Sequence, residues 1–230
     1  MKLHKQLLSF ILFMACLAAP IIAGEPTLED VFSIFGFDLT WQDEIRLKGP
    51  MQGLFVKTGR QVEILPIAKF GDDDELEKAA IRIGYYSSSK TDELRWLFEC
   101  DEASNGQAQI YGIASKPGGV YSFQPGAEPF GLYLQCHALN QNFSLDGETV
   151  RTQNKPNQLI ERFGVDIRKA RIFPYRIHGQ TKPGWYVVAW EASSNNDYQD
   201  LIFVIRGVRL IESEKKETRR RELVEGAQIT

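Results

Sequence analysis

The sequence predicts an all-β chain folded as an antiparallel, jelly-roll-like β-sandwich with short peripheral helices. Three observations carry that prediction. Short runs rich in Val, Ile, Phe and Tyr recur along the chain between Gly, Asn, Asp and Pro, which is the pattern of strands and turns. Signals for helix starts are few. Two runs near the C-terminus, WYVVAW and LIFVI, are apolar at both strand parities, as expected of strands covered on both faces in the middle of a sandwich.

Residues 1–23, MKLHKQLLSFILFMACLAAPIIA, have the order of an export signal. Lys2 and Lys5 open it, Leu7 to Ala19 form an uncharged apolar run, and Ala23 supplies the small residue at the cut. Pro20 interrupts a run that is already short for a membrane span, which needs roughly 20 apolar residues. An uncut N-terminal anchor is the alternative. Lipid attachment at Cys16 is a third reading, but Phe13 and Met14 fit the usual lipoprotein pattern poorly. Cleavage after Ala23 would remove two lysines and no acid from a chain of formal charge −3, leaving −5 on 207 residues. That balance argues against a nucleic-acid partner, which calls for a basic stripe. No membrane span is expected after cleavage, and the predicted location is secreted, periplasmic or cell-surface.

Residues 24–52 read as an N-terminal extension with a short helix, since Thr27 with Asp30 three positions on forms a capping box ahead of LEDVFSIFGF. The sandwich itself spans 53–211. LFVKTGRQVEIL (54–65) reads as two strand arms around a Thr-Gly turn, followed by AIRIGYYS (80–87), RWLFEC (95–100) and AQIYGIAS (108–115). FGLYLQCHAL (130–139), a short FSL, the Asp146-Gly147 turn and ETVRT come next. ARIFPYRI (170–177), GWYVVAW (184–190) and DLIFVIRGVRLI (200–211) complete the set. Asp72 to Ala80 and the segment QLIERFG after Asn157 carry weaker helix signals. Residues 212–230 form a charged tail whose acids interleave with its bases, a solvated extension rather than a basic binding patch.

With Cys16 lost in the signal, Cys100 and Cys136 remain, each ending a strand-like run. An even pair in an oxidising compartment suggests one disulfide, and two buried free thiols are the alternative. Catalytic motifs are absent: there is no Gly-x-Ser-x-Gly and no phosphate-cradling glycine loop, and His137 and His178 have no metal-ligand spacing. No catalytic residue is assigned. Paired carboxylates of the kind that cut polysaccharides remain open, with Glu63, Glu99, Asp101 and Glu191 as the acids to place. Asp72 and Asp74 lack an EF-hand frame and read as a solvated helix start.

The stretch WEASSNNDYQDLIFVI (190–205) sets a polar loop between the two most apolar runs. Glu191, Asn196, Asp197 and Asp200 supply side-chain oxygens within ten residues, the ligand type calcium takes in sets of about 6–8. The competing reading is an Asx-rich turn whose side chains bond their own backbone.

Tyr186-Val-Val-Ala-Trp-Glu191 and Asn196-Asp-Tyr-Gln-Asp200-Leu-Ile-Phe203 resemble the end of a family of secreted bacterial β-sandwich domains of unknown function. In that family an apolar strand ends in Glu-Asp, and a turn then leads into Asp-Tyr-Asn-Asp, two apolar residues and Phe. FGLYL at 130–134 is similar to its Phe-Gly-Phe-Tyr strand, and the likeness covers roughly residues 110 to 211. The resemblance implies a calcium site in which Glu191, Asp197 and Asp200 match the family's acids. Ala192 stands where the family often has Asp, Gln199 replaces its Asn, and Asn195 an earlier acid, so the implied site carries less charge. The resulting expectation is a non-catalytic module for binding or adhesion, with a structural calcium and an extracellular glycan or surface protein as partner. Trp41, Trp96, Tyr85, Tyr86, Trp185 and Trp190 are the candidates for a stacking surface. The alternative is a jelly-roll enzyme acting on polysaccharide through paired carboxylates.

Overall fold

The computed structural model describes residues 26–46, 52–69, 80–100, 109–110, 120–137, 149–153, 169–191, 198 and 200–211. The export signal, the helix expected after Asn157 and the charged tail lie outside the described residues. So does the predicted helix from Asp72, apart from its last residue, Ala80, which begins a strand.

The first element is helix α1 (Leu28–Ile34), followed by a 3₁₀ turn at Trp41–Asp43. The strands are β1 (Phe55–Lys57), β2 (Val62–Lys69), β3 (Ala80–Ser87), β4 (Lys90–Cys100), β5 (Gln109–Ile110) and β6 (Tyr121–Phe123). They continue as β7 (Phe130–His137), β8 (Thr149–Arg151), β9 (Ala170–Ile177), β10 (Gln180–Trp190), β11 (Leu201–Arg206) and β12 (Val208–Leu210). Two antiparallel six-stranded sheets result, and the predicted sandwich is the observed fold. The first sheet runs β12-β1-β7-β3-β4 with β8 on β7, and the second runs β5-β2-β11-β10-β9 with β6 on β2.

The two apolar runs near the C-terminus are β10 and β11, and both of their faces are covered. Val188, Trp190, Leu201, Phe203 and Ile205 point between the sheets, where they meet Phe55, Ile81, Ile83, Phe130, Leu132 and Leu134 of the first sheet. Val187, Ala189, Ile202 and Val204 face the other way, onto Leu28, Val31, Phe32, Phe37 and Leu39 of the N-terminal segment. That segment is therefore a third layer. Its helix starts as the capping box predicts: the Thr27 N–H donates to Asp30 Oδ2 at 3.0 Å and the Asp30 N–H to Thr27 Oγ1 at 3.2 Å. The same segment guards the β9 edge of the second sheet, where the Asp38 N–H donates to the Arg176 carbonyl and the Ile45 N–H to the Ile172 carbonyl. Covering an edge in this way removes a template for association with other chains.

Proline placement follows hydrogen-bond need. Pro66 sits in β2 at a register shift opposite Phe203, between the stretches that pair with β6 and β5, where no N–H is required. Pro174 lies on the edge strand β9.

Two predicted elements are corrected. The Thr-Gly stretch at 58–59 does not close a hairpin, because β1 and β2 belong to different sheets. Likewise DLIFVIRGVRLI is two strands, broken at Gly207, with β11 in the second sheet and β12 in the first. The two crossings happen side by side: the Thr58 N–H donates to the Gly207 carbonyl at 2.9 Å, and the Gly207 N–H to the Gly184 carbonyl at 3.0 Å. Gly207 has φ of +78°, and a Cβ there would lie 2.5 Å from the Gln61 carbonyl oxygen, so the crossing requires glycine.

On the outer face of the first sheet, two tyrosines lie over two glycines. Register pairs Gly84 with Tyr133 and Tyr86 with Gly131, so each ring covers the bare backbone of the neighbouring strand. Both tyrosines are buried, with Leu54, by this packing, and Leu94 and Ile211 flank them. Burial pushes the Tyr86 phenol up to about 12.

Candidate functional site

The polar loop is anchored at one end of the second sheet. Trp190 pairs with both Leu201 and Ala170, and the ladder continues one residue further, where the Glu191 N–H donates to the Lys169 carbonyl at 3.0 Å. Glu191 and Asp200 thus stand at the ends of adjacent strands, and both are fully buried. Asn196 and Asp197, the other two predicted calcium ligands, lie outside the described residues. The Glu191 carboxylate accepts the N–H of Tyr198 at 3.2 Å. Tyr198 is itself buried and left-handed, with φ of 62°. Glu191 therefore acts partly as the Asx-turn reading expected of this loop, with its side chain holding a loop amide.

Two charges that the sequence reading passed over accompany these acids. Lys69 ends β2 and Lys169 precedes β9, and both are buried, at 0% and 2% exposure. Lysine is almost never fully buried unless compensated. Lys169 stands opposite Glu191, whereas Lys69 follows the Ala68–Ile202 pair of β2 and β11. The signal was present in the sequence as a lysine closing the apolar run ILPIAK and another opening KARIF. Among the described residues, no group of three or more His, Cys, Asp or Glu side chains gathers as a metal site. Of the two predicted ligands that are described, Glu191 is engaged by the Tyr198 amide.

The outer layer braces the same loop. Arg171 lies over the Tyr198 ring at 4.2 Å and over Trp41 at 5.2 Å, and its guanidinium pairs with Glu44 at 2.7 Å. The loop, the first residues of β9 and the N-terminal segment are thereby tied together by one side chain.

Of the six aromatic residues proposed for a stacking surface, five are occupied in packing. Trp190 and Tyr86 are fully buried and Tyr85 nearly so. Trp41 packs on Phe173 and Tyr198, and Trp185 lies between Lys182, Arg206 and Tyr175. Trp96 on β4 is 62% exposed, the most exposed large hydrophobic side chain among the described residues. The Arg82 guanidinium stacks on it at 5.5 Å, and Glu99 holds that guanidinium through Nε at 3.1 Å and Nη2 at 2.9 Å.

Among the described residues, the acids of the polysaccharide-cutting alternative stand on different elements. Glu63 pairs with Arg206 on the second sheet, and that guanidinium holds its carboxyl below the usual range. Glu99 pairs with Arg82 on the first sheet, Glu191 is at the buried strand end, and Asp101 lies outside the described residues. His178 is an exposed residue of the β9–β10 turn with φ of 51°.

The expected Cys100–Cys136 disulfide is not shown by the structure. Both residues pair with Ile81 of β3, one from β4 and the other from β7, so a whole strand separates them. Two strand spacings come to about 9–10 Å between Cα atoms, beyond the roughly 7 Å limit of a bridge. Each cysteine ends a strand that neighbours the same third strand, which sequence alone does not distinguish from direct neighbours.

Among the described residues no helix is long and apolar enough to cross a membrane. No protein-family model and no curated protein matches the chain, so the likeness at residues 110–211 rests on its own motif residues.

Proposed function

We propose that this chain is an exported, non-catalytic β-sandwich module that binds an extracellular glycan through the outer face of the β3–β4 hairpin. Trp96 is the observation that carries the reading. An exposed tryptophan loses little conformational freedom on binding when one ring face is already held, and Arg82, itself fixed by Glu99, holds it here. The other face is free to stack on the C–H face of a sugar ring, which suits the negative face of an indole. Arg82 and Glu99 are each about one-third exposed, so their remaining donors and acceptors are available to ring hydroxyls. The pair is neutral overall, and the ligand class it favours is a neutral pyranoside.

A glycan array probed with the mature protein tests this reading, followed by titration of the best glycan. Trp96→Ala should weaken binding about 30-fold, the size of an interfacial tryptophan anchor, while leaving the melting temperature unchanged. Equal binding by wild type and Trp96→Ala, or an array with no hit, would overturn it. Export has its own check. Intact-mass measurement of protein from the native host should give an N-terminus at Gly24 or within a residue or two of it, whereas a retained Met1 or a lipid on Cys16 would refute a soluble exported form.

A further inference from the structure

We propose that the N-terminal layer, residues 26–46, is an acid-released strap that leaves the second sheet at low pH while the sandwich beneath stays folded. The inference goes beyond the glycan-binding reading and uses neither Trp96 nor its face of the molecule. The strap carries Glu29, Asp30, Asp38, Asp43 and Glu44 against one base, Arg46, so its formal charge is −4. Strand β9, along which it lies, carries Arg171 and Arg176 and no acid. All five carboxylates accept hydrogen bonds. Glu29 takes the Trp41 N–H at 3.0 Å and Asp30 caps α1, which fixes the strap's own form. The other three fasten it to β9 and the turn that follows. Asp38 takes the Gly179 N–H, Asp43 pairs with Arg176 at 2.6 Å, and Glu44 with Arg171 at 2.7 Å.

Protonating these acids turns attraction into repulsion. The strap is left with the single positive charge of Arg46, facing two arginines that keep theirs. Around the fastenings stand Arg46 of the strap, Arg171, Tyr175 and Arg176 of β9, His178 beside Gly179, and Tyr198 of the loop. In acid the bases are positive and the phenols neutral, so none of them replaces the lost attraction. What remains is the apolar contact of Leu28, Val31, Phe32, Phe37 and Leu39, with the backbone bonds of Asp38 and Ile45. The packing between the two sheets, by contrast, is of apolar side chains such as Phe55, Ile83, Phe130, Val188 and Phe203, and gains no charge. The pH window follows from Asp43. Burial raises its carboxyl, but Arg176 and the Thr40 donors outweigh burial and hold it below its ordinary value of 3.8. A carboxylate depressed in this way stabilises the folded strap above that value and ceases to do so as pH falls through the folded one. Release therefore belongs below about pH 4.

Amide hydrogen exchange on the mature protein, followed from neutral pH into acid, tests the order of events. The Asp38 and Ile45 amides, bonded to the Arg176 and Ile172 carbonyls, should lose at least about tenfold in protection below about pH 4. Amides along the β10–β11 ladder should keep theirs at the same pH. Loss in both sets together, or a strap protected down to the pH at which the ladder opens, would overturn the proposal. A double variant, Asp43→Asn with Glu44→Gln, removes two fastening charges with little change of shape and should show the weakened strap already at neutral pH. Glu93→Gln, in the exposed pair with Lys90 on β4, should leave the wild-type profile unchanged. A double variant whose strap opens only where the wild type does would overturn the proposal as well. Should the double variant fail to fold, the exchange series on wild type still decides.

Discussion

Arg171→Ala is expected to destabilise the protein by about 3 kcal/mol, a fall of on the order of 10 °C in melting temperature for a chain of this size. The Arg171 and Glu44 side chains are 11% and 5% exposed, so the pair is made largely out of water. Removing one member of such a pair strands the other, which costs more than the pair itself contributes. Arg46 also reaches Glu44, at 3.0 Å, but its own side chain is two-thirds exposed, so it compensates only in part and keeps the loss toward the low end. The stacking on Trp41 and Tyr198 is lost at the same time. Arg171→Lys should recover little, because an ammonium group cannot lie flat on two rings and pair sideways with a carboxylate. Calorimetry measures the loss, and hydrogen exchange locates it: the Ile45 amide, bonded to Ile172, should lose protection first. An unchanged melting temperature in Arg171→Ala would refute this bracing role.

Gly84→Ala should be the costlier of the two substitutions beneath the tyrosines, at roughly 3 kcal/mol, with Gly131→Ala nearer 1–2 kcal/mol. A methyl group at either position would enter the space of a tyrosine ring. At Gly131 every close neighbour belongs to the Tyr86 side chain, whereas at Gly84 the Arg95 carbonyl oxygen is also in the way. A side chain can shift at moderate cost, but a carbonyl inside a ladder cannot move without breaking the register. Combining Gly131→Ala with Tyr86→Leu should therefore recover part of the loss, and Gly84→Ala with Tyr133→Leu should not. Denaturant melts of the four variants test the contrast, and equal losses for the two single substitutions would remove its basis.

The fold was legible where local pattern and tertiary role coincide. Strands β3 and β9 match the runs AIRIGYYS and ARIFPYRI residue for residue, and each is closed by a marked turn, Ser88-Ser89 and His178-Gly179. The double-sided burial of β10 and β11 could be read because covered faces leave no polar parity. The Thr27–Asp30 capping box was equally plain. Pairing was not legible. Nothing local in Thr58-Gly59 separates a hairpin turn from a passage between sheets, and nothing in two strand-end cysteines reveals the strand lying between them. At the loop, the sequence pointed to Glu191 and Asp200 as acids brought to one place. The burial of Lys69 and Lys169 at the same end of the sheet could not be read, because a lysine beside an apolar run ordinarily reads as a strand end in water.

The paired crossing at Thr58 and Gly207 bears on how the molecule comes apart. Since β1 pairs with β12 and β2 with β11, a single two-stranded ribbon contributes to both sheets. In a sandwich joined only by side chains, the layers can slip past one another or open like the covers of a book. Here backbone hydrogen bonds run from one cover to the other through the spine, so shear between the layers would first have to break them. Mechanical load or heat should meet one cooperative unit rather than two separable halves.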